Sequence, residues 1–298
     1  MTLGNYFTEI SPTEVFVTEH LEHTLHTIYF APSPGAPATA GVRPEPRTLL
    51  IQHGLGEHSG RFAHVAEYFA AEGYHVFAWD HQGHGRSSGK RGVVSSWQAL
   101  SSEVNSVRAE VERRLGRTQT YLWGHSMGGL LALHYLHTNP AAATLRAAVV
   151  TAPALALSFE PSPLLVRSAR LLSSLAPNVT KDNEIDIDDL SRERGVVSLF
   201  GVDPLTHTRV SMRLGTALLH EPRALLEGNV ELPCPVLIMH GEADGVCHVD
   251  GSRKFAARAT GGAPVTLRVW PELYHEIHNE PERAEVLATA RDWLAERW

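Results

Sequence analysis

Short apolar runs alternate along this chain with longer stretches in which apolar residues recur every three or four positions. Thr48–His53 ("TLLIQH"), His75–Asp80, Thr120–Trp123, Arg146–Ala152, Pro235–His240 ("PVLIMH") and Pro264–Trp270 ("PVTLRVW") are of the first kind. Continuous apolar runs of this length read as strands buried on both faces. Between them, Phe62, Val65, Ala66 and Phe69 share one helical face of Arg61–Ala71. Trp97, Leu100, Val104, Val107, Val111 and Leu115 mark a second helix, and Val286, Leu287, Ala290, Trp293 and Leu294 mark the last. Strands alternating with helices predict an α/β fold, a mostly parallel sheet covered on both faces. Thr13–Thr18 and His23–Phe30 add an early pair of strands, read as a hairpin.

The rhythm breaks between about Pro153 and Leu232, where no buried strand is evident. Leu164, Leu165, Leu171, Leu172 and Leu175 fall on one helical face there, and "DPLTHTRVSMRLGTALL" also reads as helix. This predicts a core made of residues 1–153 and 233–298, with residues 154–232 inserted as a helical cap. The cap should lie over the C-terminal strand ends, where ligands bind in open α/β sheets. The apolar face either packs inside the cap or lines an acyl-chain entrance. Ala31–Arg47, rich in proline, alanine and glycine, reads as a surface loop.

Candidate chemistry sharpens this picture. Gly124-His125-Ser126-Met127-Gly128 fits G-x-S-x-G, but so does Gly85-Arg86-Ser87-Ser88-Gly89. A nucleophile elbow needs a strand before the serine and a helix after it. Ser126 has both, the helix running through Leu130, Leu131, Leu133 and Leu136 until Asn139-Pro140 stops it. Ser87 has neither. A serine nucleophile needs a histidine base oriented by a carboxylate, which in this fold follow in the order acid, then histidine. Asp244 in "HGEAD" and His275 in "PELYHE" each lie just past a strand. His278 competes with His275, and Glu276 and Glu280 are weaker rivals of Asp244. Asp80 ends a strand but precedes the serine. For the oxyanion, the backbone N–H groups of Met127 and of Leu55, in "HGLGEHSG", are the candidates.

Composition narrows the functional classes. The 298 residues, 43% of them hydrophobic, suffice for a large core. A net charge of -7 gives no basic footprint for nucleic acid. No apolar run is long enough to span a membrane, and "MTLGNYFTEI" does not read as a signal peptide. Two cysteines, Cys234 and Cys247, make no disulfide framework. A soluble cytoplasmic protein is expected. The 18 histidines raise the question of a metal, but His20, His23 and His26 read as strand residues on alternating faces. "HEIH" at His275–His278 departs from H-E-x-x-H, so no metal site is expected.

Taken together, "HGLGEHSGRF", "DHQGHGRSSGKRG", "GHSMGG", "HGEAD" and "LYHEIHNE" resemble the monoacylglycerol lipase and lysophospholipase group of α/β-hydrolases, over nearly the whole chain. The resemblance implies Ser126, Asp244 and His275 as triad and the N–H groups of Leu55 and Met127 as oxyanion hole. It further implies that Glu57, Arg61 and His125 help form the polar, glycerol-facing end of the pocket. Cys247, three residues past Asp244, should lie near the site, as an accessible thiol or a buried inert one. The long proline-rich loop and a divergent cap depart from the group's pattern. The expectation is a cofactor-independent esterase acting on a monoacylglycerol or similar single-chain lipid ester, with transient membrane or micelle contact through the cap. The alternatives are a carboxylesterase or lysophospholipase, an acyltransferase, or a non-catalytic binding protein of the same fold.

Overall fold

Apolar stretches buried at nearly every position make β3 (Arg47–Gln52), β4 (His75–Trp79), β5 (Gln119–His125) and β6 (Ala147–Thr151) the centre of the molecule. The computed structural model describes residues 10–36, 45–158, 173–259 and 261–297. With β1 (Glu14–His20), β2 (His23–Phe30), β10 (Val236–Gly241) and β12 (Val265–Trp270), these strands form one eight-stranded sheet. The order is β1-β2-β4-β3-β5-β6-β10-β12. Only β2 runs against the rest; β1 and β4 both pair with it antiparallel, and the other pairs are parallel. The expected hairpin is present, with His20 opposite His23.

Alternation along the central strands divides the core in two. Leu49, Ile51, Tyr121, Trp123, Val149 and Leu237 face the helices α1 (Ala63–Ala71) and α7 (Arg283–Ala295). Leu50, Leu122, Val150 and Ile238 face α2 (Trp97–Leu115), α3 (Met127–Thr138) and α6 (Val249–Arg258). Strand neighbours point to opposite faces, so one run of apolar residues fills both cores.

Between β6 and β10 the chain leaves the sheet. It forms β7 (Thr180–Asp182), β8 (Arg209–Ser211) and β9 (Glu231–Leu232), the last pairing with β11 (Gly261–Gly262), and the helices α4 (Arg194–Val202) and α5 (Met212–Glu227). Here the helical reading of "DPLTHTRVSMRLGTALL" needs correction. Helix begins only at Met212, because the Ser211 side chain accepts from Leu214 N and caps it there. Residues 209–211 instead pair antiparallel with 180–182. Of the leucine face expected nearby, Leu164, Leu165, Leu171 and Leu172 lie outside the described residues, and Leu175 is 73% exposed. Residues 37–44 of the proline-rich loop also lie outside them. Among the described residues, no helix is long and apolar enough to cross a membrane.

Candidate active site

The strand β5 ends in a turn that only this sequence pattern permits. Ser126 has φ 54° and ψ -117°, a conformation that L-residues rarely adopt. A Cβ on Gly124 would lie 2.4 Å from the Gly128 carbonyl oxygen. A Cβ on Gly128 would lie 2.5 Å from the carbonyl oxygens of Gln52 and His53. The flanking glycines therefore let α3 start directly under β3. Intrahelical bonding begins with Leu130 N donating to Ser126 O at 3.0 Å, so the Met127 N–H has no helical acceptor. The loop after β3 closes in from the other side, where a Cβ on Gly54 would stand 3.0 Å from Ser126 Cβ. Ser87 serves a different purpose: its hydroxyl donates to Asp80 O and accepts from His26 N, tying a surface loop to β2.

Asp244 follows β10 and is gripped by four donors. Its Oδ1 accepts from Val246 N and Cys247 N, each at 2.8 Å. Its Oδ2 accepts from His275 Nδ1 at 2.8 Å and His240 Nε2 at 3.0 Å. Burial alone would push its carboxyl up, but His275 and His240 outweigh burial and hold it below the usual carboxylate range. Burial likewise disfavours the His275 imidazolium. The Asp244 charge and hydrogen bond overcome it, so the pKa of His275 rises. Two neighbouring buried histidines behave in the opposite way. His125, whose ring lies 4.8 Å from that of His275, is driven well below its ordinary pKa by burial and then by His275. His278 is depressed by burial and by His125, and the described contacts give its ring nitrogens no hydrogen-bond partner. His278 therefore does not share the carboxylate that His275 holds.

Ser126 and His275 line one narrow cleft, together with Gly54, Leu55, Glu57, His125 and Glu276. No hydrogen bond links the serine to His275 among the described contacts. The Ser126 hydroxyl lies beside the thiol of Cys247 and favours its ionised form. That thiol is 1% exposed, and burial, then Asp244, push it well above an ordinary thiol, so it is the buried inert form. The apolar walls come largely from the segment between β6 and β10, through Ile185, Ile187, Leu190 and Phe200. The sequence reading missed these residues. Their signal was the alternation of apolar and acidic positions in Ile185-Asp186-Ile187-Asp188, which places every second side chain inward.

Glu57 and His125 line the cleft, whereas Arg61 lies behind them. Its guanidinium reaches Glu57 Oε2 at 3.3 Å and both oxygens of Glu276 at 2.7 and 2.6 Å. Glu276, considered first as a rival acid, is thus the second carboxylate of this buried cluster. Burial and the neighbouring Glu276 raise Glu57 to about 7, against the pull of Arg61. Glu57 Oε1 accepts from Gly54 N at 2.5 Å and so also fixes the loop carrying Leu55. The three histidines of the first hairpin take separate partners: His20 Ser106 and Ala99, His23 Ser95, His26 Asp80. Among the described residues, no group of three or more His, Cys, Asp or Glu is arranged to hold a metal ion.

The sequence profile of the serine aminopeptidase S33 family (Hydrolase_4) matches residues 44–282. The chain belongs to this family. As a Hydrolase_4 member it is 34% identical over 252 residues to a monoacylglycerol lipase of Mycolicibacterium smegmatis, covering 84% of this chain and 89% of that protein. It is 32% identical over 254 residues to an abhydrolase domain-containing protein of Dictyostelium discoideum, covering 84% of this chain but spanning only 26% of that longer protein. The crystal structure of the Paleococcus ferrophilus monoacylglycerol lipase superposes with a TM-score of 0.80 at 29% identity, over 92% of this chain and 99% of that one. The architecture is the α/β-hydrolase fold.

Proposed function

We propose that this protein is a serine hydrolase of carboxylic esters, a monoacylglycerol lipase that releases fatty acid and glycerol. The observation that carries the reading is one narrow cleft in which a serine on a strained elbow meets a carboxylate-held histidine between apolar walls and a buried polar cluster. In this reading His275 Nε2 takes the proton of Ser126 Oγ as Oγ attacks the ester carbonyl carbon. Asp244 keeps the Nδ1 proton and steadies the imidazolium. The N–H groups of Leu55 and Met127 receive the developing oxyanion, usually the largest single contribution. The intermediate collapses, and glycerol leaves with the proton from His275. Water, deprotonated by the same histidine, then releases the fatty acid from Ser126.

The segment 154–232 acts as the cap in this scheme. Ile185, Ile187, Leu190 and Phe200 supply the acyl-facing wall, while Glu57 and His125 face the glycerol head with Arg61 behind them. Leu175, Val179 and Val202 are exposed on that segment, which suits brief contact with the membrane or micelle that supplies the lipid.

A hydrolysis panel tests the substrate class. Monoacylglycerols should be cleaved well, diacylglycerols less and triacylglycerols hardly at all, with aminoacyl anilides untouched. Efficient triacylglycerol cleavage would refute a single-chain pocket, and anilide cleavage with inert monoacylglycerols would move the activity to peptidase chemistry.

A further inference from the structure

Asp244 carries a second imidazole that the mechanism above leaves unused. His240, on β10, is fully buried. Its Nε2 faces two oxygens that can only accept, Asp244 Oδ2 at 3.0 Å and Cys247 O at 2.8 Å. That nitrogen must therefore bear hydrogen. Its Nδ1 faces the Ser252 hydroxyl at 2.8 Å, and a hydroxyl donating there fixes the Nε2–H tautomer. The ring thus joins three elements: the strand β10, the loop 244–247 and the helix α6.

We propose that His240 is a positioning residue for the Asp244–His275 pair, donating its Nε2–H to the same carboxylate oxygen that holds His275 and thereby setting the aim and basicity of the base. The proposal rests on the reading of Asp244 and His275 as acid and base. Two donors share Oδ2, so charge drawn toward His240 is withheld from His275. The Cys247 carbonyl, held by the same nitrogen, belongs to the loop whose N–H groups grip Oδ1. One ring therefore orients both oxygens. The other groups facing His275 are His125 from β5, Glu57 from the loop after β3, Asp189 from the inserted segment, and Glu276 and His278 beside it. Changes at position 240 leave all of these in place.

The test is the pH profile of kcat/KM on a p-nitrophenyl ester, normalised to sites titrated with a fluorophosphonate. His240→Leu should move the acid limb up by roughly 0.5–1 unit, because His275 then receives the undivided carboxylate charge. It should also lower kcat by about 10-fold with KM little changed. His240→Gln, which keeps an N–H, should restore the limb and most of kcat. A purely structural role would lower the titrated sites and leave the limb in place, and that result overturns the proposal. In the unmodified protein, nitrogen-edited NMR should find a proton on His240 Nε2 whose shift follows the titration of His275. A bare Nε2 overturns the proposal without any variant having to fold. Asp244→Asn and His275→Ala, run alongside, separate the two claims. If both stay active, the acid–base reading itself fails. If both are inactive while His240→Leu keeps the original limb, only the role of His240 fails.

Discussion

At the residue scale, the site was legible wherever chemistry coincides with a backbone requirement. Ser126 is selected over Ser87 because a serine at positive φ between a strand and a helix needs glycines beside it, and Gly124 and Gly128 leave no room for a Cβ. Asp244 and His275 are selected by chain order and strand ends, and their side chains meet at 2.8 Å. Partnerships between side chains distant in sequence were not legible. Arg61 and Glu276 are 215 positions apart, and the link of His240 to Asp244 lies inside a motif that also reads as a plain turn. Nor does sequence reveal that the Ser126 hydroxyl lies beside the Cys247 thiol, since the two residues are distant along the chain.

At the element scale, the sheet and the helices covering it followed from periodicity, because each central strand is buried on both faces. The inserted segment did not, because short pieces capped by single side chains carry little periodic signal; Ser211 ends one reading and starts another within three residues. Ile185, Ile187, Leu190 and Phe200 form the described apolar lining, while Leu164, Leu165, Leu171 and Leu172 lie outside the described residues. Each methylene of an acyl chain buried there contributes about 0.8 kcal/mol. Ile187→Ser and Phe200→Ala should therefore reduce kcat/KM on long-chain monoacylglycerols more than on short-chain ones. Equal losses at every length, measured across one acyl series, would assign these residues to cap stability.

For the whole molecule, the abundance of histidine becomes a statement about pH. His53, His84, His125 and His278 are driven well below their ordinary pKa by burial, and His64 and His207 are lowered to about 4. A depressed histidine pKa means that the unfolded chain takes up protons first. The stability these six groups contribute is present above about pH 6.5, the ordinary histidine value, and is lost as pH falls through their folded values. Glu57 has the opposite sign: raised to about 7, its contribution is full below the ordinary carboxylate value and disappears as pH rises through 7. His275, whose pKa is raised, has the same sign as Glu57. Six groups outweigh two, so Tm should fall steeply below pH 6.5 in a calorimetric series. A Tm that stays level down to pH 4.5 would mean that these histidines are charged or solvated in the folded protein.

The central claim, that Ser126 is the activated nucleophile, is tested most directly by trapping its hydroxyl. Protein incubated with a fluorophosphonate and digested for mass spectrometry should carry the adduct on the peptide containing Ser126, at one equivalent per chain. Ser126→Ala should abolish labelling and Ser87→Ala should leave it whole. Full labelling of Ser126→Ala, or an adduct mapped to any other serine, would contradict the account.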